Sequence, residues 1–254
     1  MSDQDDYWHD NKLSVLLSHF DEKTILVYSD MNIVDEKGAI VHPTYWTTRK
    51  NNFTELDLLI IANTITGAAS IFRKELLNFL LPFPEKIGDS YHDNFIACAA
   101  LSLGDIRYEG TSLYDYRQHS ENVFGHKVPP IINKKECFLN FLGKITNINS
   151  GFAKSFQQTL INYQTVYYND FIRRILIAHV LNLRCYTSSE EKKKTIKRFT
   201  NFERGLYGIV FEVIKNIILK KGSVTVGNDT QLLKSVLSVR LLNKYNSFLK
   251  IFAD

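Results

Sequence analysis

Apolar residues change their spacing near the middle of this chain, and the change limits the folds that it can adopt. In the first half, short apolar runs such as Thr24–Tyr28 alternate with stretches of helical spacing such as Asp93–Leu103. Such runs predict strands buried on both faces, and strands that alternate with helices predict an α/β layer fold. In the second half, apolar residues recur at intervals of three and four, which predicts an all-α region.

Turn residues and prolines set the bounds of the predicted elements. Pro82 and Pro84 end one helix, and Gly104 is predicted to close another at the C′ position. The predicted helices of the first half cover about 11–20, 56–63, 74–81 and 93–103, and its strands cover 24–28, 39–41, 106–108 and 112–117. The predicted helices of the second half cover 136–145, 152–185, 190–200, 206–221 and 230–252.

Charge changes at the same place as the apolar spacing. Residues 1–127 carry 19 acidic and 11 basic side chains, a balance of −8, whereas residues 128–254 carry 8 and 20, a balance of +12. Pro129 and Pro130 interrupt regular structure at this point. We therefore predict two domains, an α/β domain over 1–128 and a basic helical domain over 129–254.

The composition of the 254 residues is that of an ordered globular protein, because 44% of them are hydrophobic. Cys98, Cys137 and Cys185 are odd in number and include no Cys-x-x-Cys pair, which predicts buried thiols in a reducing compartment rather than a zinc site. Met1 is followed at once by acidic residues, so no signal peptide is predicted. These features together predict a cytoplasmic protein.

The most apolar stretch of the second half is Leu206–Leu219, which Glu212 and Lys215 interrupt. Its 14 residues are fewer than the roughly 20 that span a bilayer. A core helix is one interpretation, and a helix in the membrane interface, favoured by Lys220 and Lys221, is the other. The basic half would then dock on an anionic membrane surface or a partner subunit. Nucleic-acid binding is not predicted, because the basic residues are spread over several helices without aromatic residues among them on one face.

Three carboxylates, Asp3, Asp5 and Asp6, fall within four positions at the start of the chain. Carboxylates this close repel one another unless a cation or solvent relieves them, and a divalent cation held by such groups commonly binds diphosphate oxygens. A solvated acidic tail is the alternative. Trp8 and the apolar-periodic stretch Leu13–Phe20 follow at once and favour a segment that is fixed in place.

Further short motifs follow the acidic segment along the first half. The chain reads Ser-Asp-Gln-Asp-Asp-Tyr-Trp, Tyr-Ser-Asp-Met, Thr-Gly-Ala-Ala before Phe-Arg-Lys-Glu-Leu-Leu, then Pro-Phe-Pro, His-Asp and Tyr-Arg-Gln-His-Ser-Glu-Asn-Val-Phe-Gly. In order and spacing, these motifs resemble those of the family 2 glycosyltransferases, especially the bacterial rhamnosyltransferases. The resemblance covers about residues 2–126. Its segments are Ser2–Trp8, Tyr28–Met31, Thr66–Leu77, Pro82–Pro84, His92-Asp93 and Tyr116–Gly125.

The resemblance implies the fold of a nucleotide-diphospho-sugar transferase (GT-A-like), which is a mixed sheet with flanking helices. Members of the family begin with roughly 80–90 further residues that form a nucleotide-binding α/β half. We therefore expect an incomplete GT-A-like α/β domain, followed by the all-α region. The site for the nucleoside would then be incomplete, and the chain would be inactive by itself, expose an edge strand, or be completed by another polypeptide.

The resemblance also implies roles at the donor site. Asp5 would bind a Mg²⁺ or Mn²⁺ ion directly, and Asp3 would lie nearer the ribose or the water shell of the ion. Asp6 would orient Asp5. His119 would complete the coordination or contact the diphosphate, and a surface histidine in a polar turn is the alternative. Arg117 would bind a phosphate, or would serve only in strand packing.

Asp93 matches the position of the carboxylate base in inverting members of the family. That base takes the proton from the acceptor hydroxyl as it attacks the anomeric carbon of the sugar. A capping box of Ser90 and Asp93 at the start of a helix is the alternative. Thr66 and Gly67 would let the backbone approach the sugar or the acceptor closely, or would form a tight turn in the core.

The expected function is the transfer of a sugar from a nucleotide-diphosphate sugar donor to a hydroxyl of a cell-surface polysaccharide or lipid-linked oligosaccharide. The reaction would be inverting and metal-dependent. The protein would be cytoplasmic and peripheral on the inner face of the membrane. The alternative is a catalytically inactive remnant that binds the acceptor or a partner transferase.

Overall fold

The structure is α/β, as the sequence predicts, and its sheet is mixed. It is a computed structural model, and it describes residues 6–84, 92–118, 151–202 and 204–251. Within these ranges five strands form one sheet, and the regular elements from residue 151 onward are helical. The predicted fold class is therefore confirmed at this level for the described part of the chain.

A long central strand organises the sheet. It is β2, and nine of its eleven residues are buried, as expected for a strand that is covered on both faces. This strand pairs in parallel with β5 and in antiparallel with β3 and β4, and β1 pairs with the other edge of β5. The bounds are Tyr7–Trp8 for β1, Thr24–Val34 for β2, Ile40–His42 for β3, Ser70–Phe72 for β4 and Asp105–Arg117 for β5.

The other regular elements of the described chain are mainly helices of different lengths, joined by loops and short turns. In order they are α1 (Lys12–Ser18), α2 (Leu56–Ile61), α3 (Leu77–Leu80), α4 (His92–Leu103), α5 (Gly151–Val166), α6 (Ile172–Arg184), α7 (Glu190–Thr200), α8 (Tyr207–Ile218), α9 (Gly222–Thr225) and α10 (Asn228–Ile251). No helix in the described ranges is both long and apolar enough to cross a membrane.

The two faces of β2 contact different layers. Val27 packs with Leu16 of α1 on one face. Leu26 and Tyr28 point to the other face and join the main core, which contains Phe95 of α4. Successive side chains of a strand point to opposite faces, so this alternation follows from the strand itself. The helices α2 and α4 therefore lie on the opposite side of the sheet from α1.

Several of the predicted elements differ from the structure, and the strand predicted over 24–28 continues to Val34. The stretch predicted as one helix over 152–185 is divided by a π-helical turn, Tyr167–Phe171, between α5 and α6. The stretch predicted as a helix over 74–81 begins as a 3₁₀ turn, Lys74–Leu76, before α3. The two strands predicted over 106–108 and 112–117 form one strand, because an irregularity in its pairing with β2 interrupts the apolar pattern without ending the strand.

Gly104 follows α4 directly but does not take the left-handed conformation predicted for a C′ glycine. Among the described residues, the glycines with positive φ are Gly38 and Gly227. A Cβ atom on Gly104 would lie 2.5 Å from the carbonyl oxygen of Lys23 and 2.6 Å from a side-chain carbon of Ile25. The close approach of the chain to β2 therefore requires this glycine.

One hydrophobic core joins the sheet to the helical half. It includes Tyr114 of β5, Phe95 of α4, Ile177 of α6 and Phe199 of α7, all of them buried. The predicted boundary near residue 128 lies outside the described residues. The division into domains 1–128 and 129–254 therefore stays a prediction, although the described parts of the two stretches share one core.

Basic residues of the helical half also bind the α/β half directly. Their partners are carboxylates and backbone carbonyl oxygens that would otherwise be left without a cation or a donor. Part of the +12 balance of residues 128–254 therefore holds this protein together instead of facing a partner. The contacts are Lys215 with Asp57, Lys221 with Glu55, Arg174 with the carbonyl of Ile61, Arg184 with the carbonyls of Leu80 and Pro82, and Lys192 with the carbonyl of Gly104.

We expect Arg174 to contribute more to stability than its neighbour Arg173, although both pair with Asp170. Arg174 is buried and also donates to the Ile61 carbonyl at 2.8 Å, whereas the Arg173 side chain is 20% exposed. Arg174→Ala should lower the free energy of unfolding by about 3 kcal/mol, as for a broken buried pair. Arg173→Ala should lower it by less than about 1 kcal/mol. Urea denaturation measures both, and equal losses would contradict the assignment.

Candidate functional site

Several of the motifs converge at one edge of the sheet. Because β2 and β5 are parallel, their carboxyl ends lie at the same edge, which is where α/β sheets commonly bind ligands. The first residue of β4, Ser70, pairs with Tyr28, so the preceding turn Gly67–Ala69 lies toward this edge. The start of α4 packs against that turn.

Gly67 makes the closest approach between these segments. A Cβ atom on this residue would lie 3.0 Å from Nε2 of His92 and 3.6 Å from Cβ of Asp93. The backbone N–H of Gly67 favours the ionised form of the nearby Asp93 carboxylate. A side chain at position 67 would separate the two segments, so the glycine is needed for their contact. The tight turn, one of the two alternatives for Thr66 and Gly67, is present, and the approach of the backbone to a sugar or an acceptor stays a prediction.

Asp93 is held in the first turn of α4. Its carboxylate oxygen Oδ1 accepts a hydrogen bond from the backbone N–H of Asn94 at 2.7 Å. Burial raises the pKa of Asp93, and the two backbone donors and the nearby charges of His92 and Arg173 oppose that shift. A carboxylate with a raised pKa is a stronger base, provided that it stays ionised at the working pH.

The capping-box alternative for Asp93 is not decided by these contacts. Its proposed partner, Ser90, lies outside the described residues. Asp93 does accept from Asn94, and a negative charge in the first turn of a helix is favourable in any case. The packing contact with Gly67, 26 positions earlier in the chain, is an additional one that a local cap does not require.

A buried carboxylate, Asp30, positions the loop that follows β3. It is 4% exposed, and it accepts hydrogen bonds from the backbone N–H groups of Met31 and Tyr45 at 2.8 and 3.0 Å. It also accepts from the hydroxyl of Thr44 at 2.5 Å. These donors occupy both carboxylate oxygens, so Asp30 anchors Tyr45 beside the second half of β2.

Tyr45 is a residue that sequence reasoning did not identify as part of this region. Burial raises the pKa of its hydroxyl, and the negative charge of Asp93 adds to the shift. The positive charge of Arg49 opposes it. Arg49 itself is fixed by hydrogen bonds to the carbonyl oxygens of Ala62 and Val224, at 2.6 and 3.1 Å. The phenol of Tyr45 therefore belongs to the surroundings of Asp93, and the guanidinium of Arg49 lies near that phenol.

Lys12 is the second residue that the sequence did not reveal. Its side chain is buried, with Nζ 3.6 Å from the centre of the Trp8 ring and 4.5 Å from that of Tyr114. Nζ donates to the carbonyl oxygen of Ala68 at 2.5 Å. Burial lowers the pKa of Lys12 to about 8, and the negative charge of Asp6 partly opposes that shift. The lysine thus ties the end of the acidic segment to the Gly67–Ala69 turn.

The described end of the acidic segment is held in the fold. Tyr7 and Trp8 form β1 and pair with Asp115 and Tyr114. Both carboxylate oxygens of Asp6 are shielded from solvent. Sequence reasoning expected a fixed segment here, and the position of residues 6–8 agrees with that expectation.

The other predicted site residues are spread along the same edge or fall outside the structure. Thr66 is extended and leads into the Gly67 turn. Arg117 is the last residue of β5, beside Val34, and Val34 is six positions beyond Tyr28 along β2. Asp3, Asp5 and His119 lie outside the described residues. Within the described ranges, no group of three or more His, Cys, Asp or Glu side chains is arranged to hold a metal ion.

Comparisons of the chain with protein-family models, with curated proteins and with solved structures give no match. The resemblance to family 2 glycosyltransferases therefore rests on the motifs of the sequence and stays a prediction.

The lowered pKa of Lys12 predicts a specific dependence of stability on pH. Between about pH 8 and 10.5 the unfolded chain holds a proton on Lys12 that the folded chain has lost. The contribution of Lys12 to the free energy of unfolding should therefore rise with pH between about pH 8 and 10.5, by at most about 1.4 kcal/mol per pH unit. Lys12→Met should remove this component, whereas Lys37→Met, at an exposed turn, should retain it.

Urea denaturation at several pH values between 7 and 11 measures this difference. If the free energies of unfolding of wild type and Lys12→Met change with pH in parallel, then Lys12 keeps its ordinary pKa in the folded protein.

Proposed function

We propose that this chain is part of a metal-dependent, inverting glycosyltransferase of family 2, with a GT-A-like catalytic domain in its first half. The observation that carries the proposal is the contact of the Gly67 turn with Asp93 at the carboxyl edge of β2 and β5. Two motifs that are 26 positions apart, and that the family resemblance assigns to one site, meet there.

Asp93 would act as the general base. Its carboxylate accepts the proton of the acceptor hydroxyl while the hydroxyl oxygen bonds to the anomeric carbon and the nucleoside diphosphate departs with the electrons of the broken C–O bond. The raised pKa of Asp93 supports this role, because burial makes the carboxylate a better proton acceptor. The backbone donors of Gly67 and Asn94 would keep it oriented.

The donor diphosphate would bind beside the acidic segment. Asp5, Asp3 and His119 would hold Mg²⁺ or Mn²⁺, which supplies positive charge against the departing diphosphate. The residues fit such an ion in kind, since carboxylate oxygens are its preferred ligands. The attachment of Asp6, Trp8 and Lys12 to the edge of the sheet supports a fixed position for the segment. Arg117, at the end of β5, would meet a phosphate oxygen.

The acceptor would be a hydroxyl of a cell-surface polysaccharide or a lipid-linked oligosaccharide. Thr66 and Gly67 would border the sugar or the acceptor, because a position without a side chain lets a ring lie close to the backbone. The protein would act in the cytoplasm at the inner face of the membrane. No nucleic-acid partner is proposed.

Nucleotide-dependent stabilisation tests the proposal. In the presence of Mn²⁺ or Mg²⁺, one nucleoside diphosphate of a panel should raise the Tm of the wild type. At about one hundred times its Kd, the rise should be about 5–10 °C. Asp5→Ala should abolish the rise. Asp10→Ala is the matched control, because Asp10 is an exposed acid five positions further on, and it should retain the rise.

Asp93→Asn should retain the nucleotide-dependent rise in Tm, since the base acts on the acceptor. No rise with any nucleotide, or an equal rise in Asp5→Ala, would contradict donor binding at the acidic segment and favour the non-catalytic binding module.

A further inference from the structure

The inward face of helix α8 carries two buried apolar residues of the main core, Ile209 and Val213, and two buried polar ones. Glu212 is buried and forms ion pairs with Arg198 and Lys215. Asn216 is also buried, and its Nδ2 donates to the carboxylate of Asp229 at 3.3 Å. An amphipathic helix on the surface of a soluble domain normally buries its apolar stripe and exposes its polar one. In α8 this arrangement is partly reversed.

The opposite face of α8 carries large apolar side chains in solvent. Five of them are spaced by three and four residues, which places them on one side of the helix, and Leu219 follows at its end, so that the set extends over about 18 Å. Isolated apolar residues on a surface need no explanation, but a continuous stripe of five, extended by a sixth, marks a binding surface. The outward face consists of Tyr207 (84% exposed), Phe211 (42%), Ile214 (51%), Ile217 (64%), Ile218 (70%) and, just after the helix, Leu219 (53%).

The surroundings of this outward face are basic. Residues 192–227 contain nine basic side chains and two acidic ones. Four of the basic ones, Lys192, Arg198, Lys215 and Lys221, bind groups within the protein, and so does the acidic Glu212. Exposed basic residues lie at both ends of the stripe, with Arg204 before Tyr207 and Lys220 after Leu219. A binding partner of this face would therefore be apolar at its centre and anionic around it.

A cleft adjoins the carboxyl end of the stripe. It has a volume of about 340 Å³, and Leu219 reaches it together with Lys50, Lys220 and Lys221. Lys221 forms an ion pair with Glu55 at 2.5 Å, so its positive charge is partly neutralised within the protein. Lys50 and Lys220 are exposed and add positive charge where the apolar stripe ends.

We propose that the outward face of α8 binds an anionic membrane surface. The helix would lie parallel to the bilayer, with the apolar stripe among the upper acyl carbons and Arg204 and Lys220 at the level of the lipid phosphates. A helix of 12 residues is too short to span the roughly 30 Å of a hydrocarbon core. The inference rests on the orientation of α8 and does not depend on sugar transfer.

A second copy of this chain fits the same face less well. A twofold axis parallel to α8 would bring each end of the helix beside the same end of its copy, and so beside the same basic residue, whereas a perpendicular axis brings the amino end of one helix to the carboxyl end of the other. Arg204 of one copy would then approach Lys220 of its partner copy, and two like charges would be brought together while the apolar surface is buried. Anionic lipid headgroups would neutralise both residues instead.

Vesicle co-sedimentation tests the proposal on the full chain. At about 0.05 M salt, the wild type should bind vesicles of phosphatidylcholine with roughly one-third phosphatidylglycerol, and binding to pure phosphatidylcholine should be much weaker. Ile214→Ser combined with Ile218→Ser should weaken binding about tenfold or more. Lys220→Glu should weaken it roughly fivefold or more, and raising the salt to about 0.5 M should remove that electrostatic part.

Leu17→Ser is the matched control, because Leu17 is 62% exposed on α1, outside the helical half. It should leave vesicle binding unchanged, and the Tm of each variant confirms that it is folded. Lack of wild-type binding at low salt would overturn the proposal, as would equal losses in Leu17→Ser and in the double variant. A wild-type dimer in sedimentation velocity that the double variant dissociates, without vesicle binding, would assign the face to a second copy.

Discussion

The contact between the Gly67 turn and the start of α4 is the constraint on which the candidate site depends. The middle of α4 is fully buried, at Phe95 and at Ala97–Ala100, so the core fixes where this helix begins. The pairing of β4 with β2 sets the position of the Gly67–Ala69 turn, which precedes β4. Asp93 is therefore held between two elements whose positions are set elsewhere, and its partial desolvation follows from that packing.

The helical half supports the same region. The helix α6 packs on α2 and α4, and it carries Arg174, which binds the carboxyl end of α2, and Arg173, whose charge acts on Asp93. Basic residues thus have two different roles. Some satisfy carboxylates and carbonyl oxygens of the α/β half, and others, such as Arg204 and Lys220, are exposed beside the apolar face of α8. A simple charge balance does not separate the two groups.

Local patterns in the sequence account for much of the fold. The uninterrupted apolar run at 24–28 lies within β2, and the amphipathic stretch predicted over 190–200 is α7, capped by the hydroxyl of Ser189. Both depend mainly on residues that are near one another in the chain. The same holds for α4, which begins at His92, one residue before its predicted start.

Features that depend on distant residues were not predictable in the same way. Lys12 reads as a solvated residue beside Asp10, and only the pairing of β1 with β5 brings Tyr114 over it. Tyr45 lies in a loop without periodicity, and a hydrogen bond to the carboxylate of Asp30 sets its position. The sequence showed that α8 is apolar, but not which side of the helix faces the protein. The ion pair of Lys215 with Asp57, 158 positions away in the chain, lies on the inward side.

The central claim is that the fold keeps Asp93 ionisable in a site that disfavours its charge. The free energy of unfolding of Asp93→Asn, compared with wild type at pH 7 and at about pH 3, tests it most directly. The pKa of Asp93 in the folded protein is raised above its ordinary value of 3.8. As pH rises from about 3.8 through the folded pKa, the free energy of unfolding of the wild type should therefore fall relative to that of the variant. Asp93→Asn should therefore be the more stable protein at pH 7, and its advantage should vanish at about pH 3. A variant that is less stable than wild type at pH 7 would contradict the account, because it would mean that the Asp93 charge serves the start of α4.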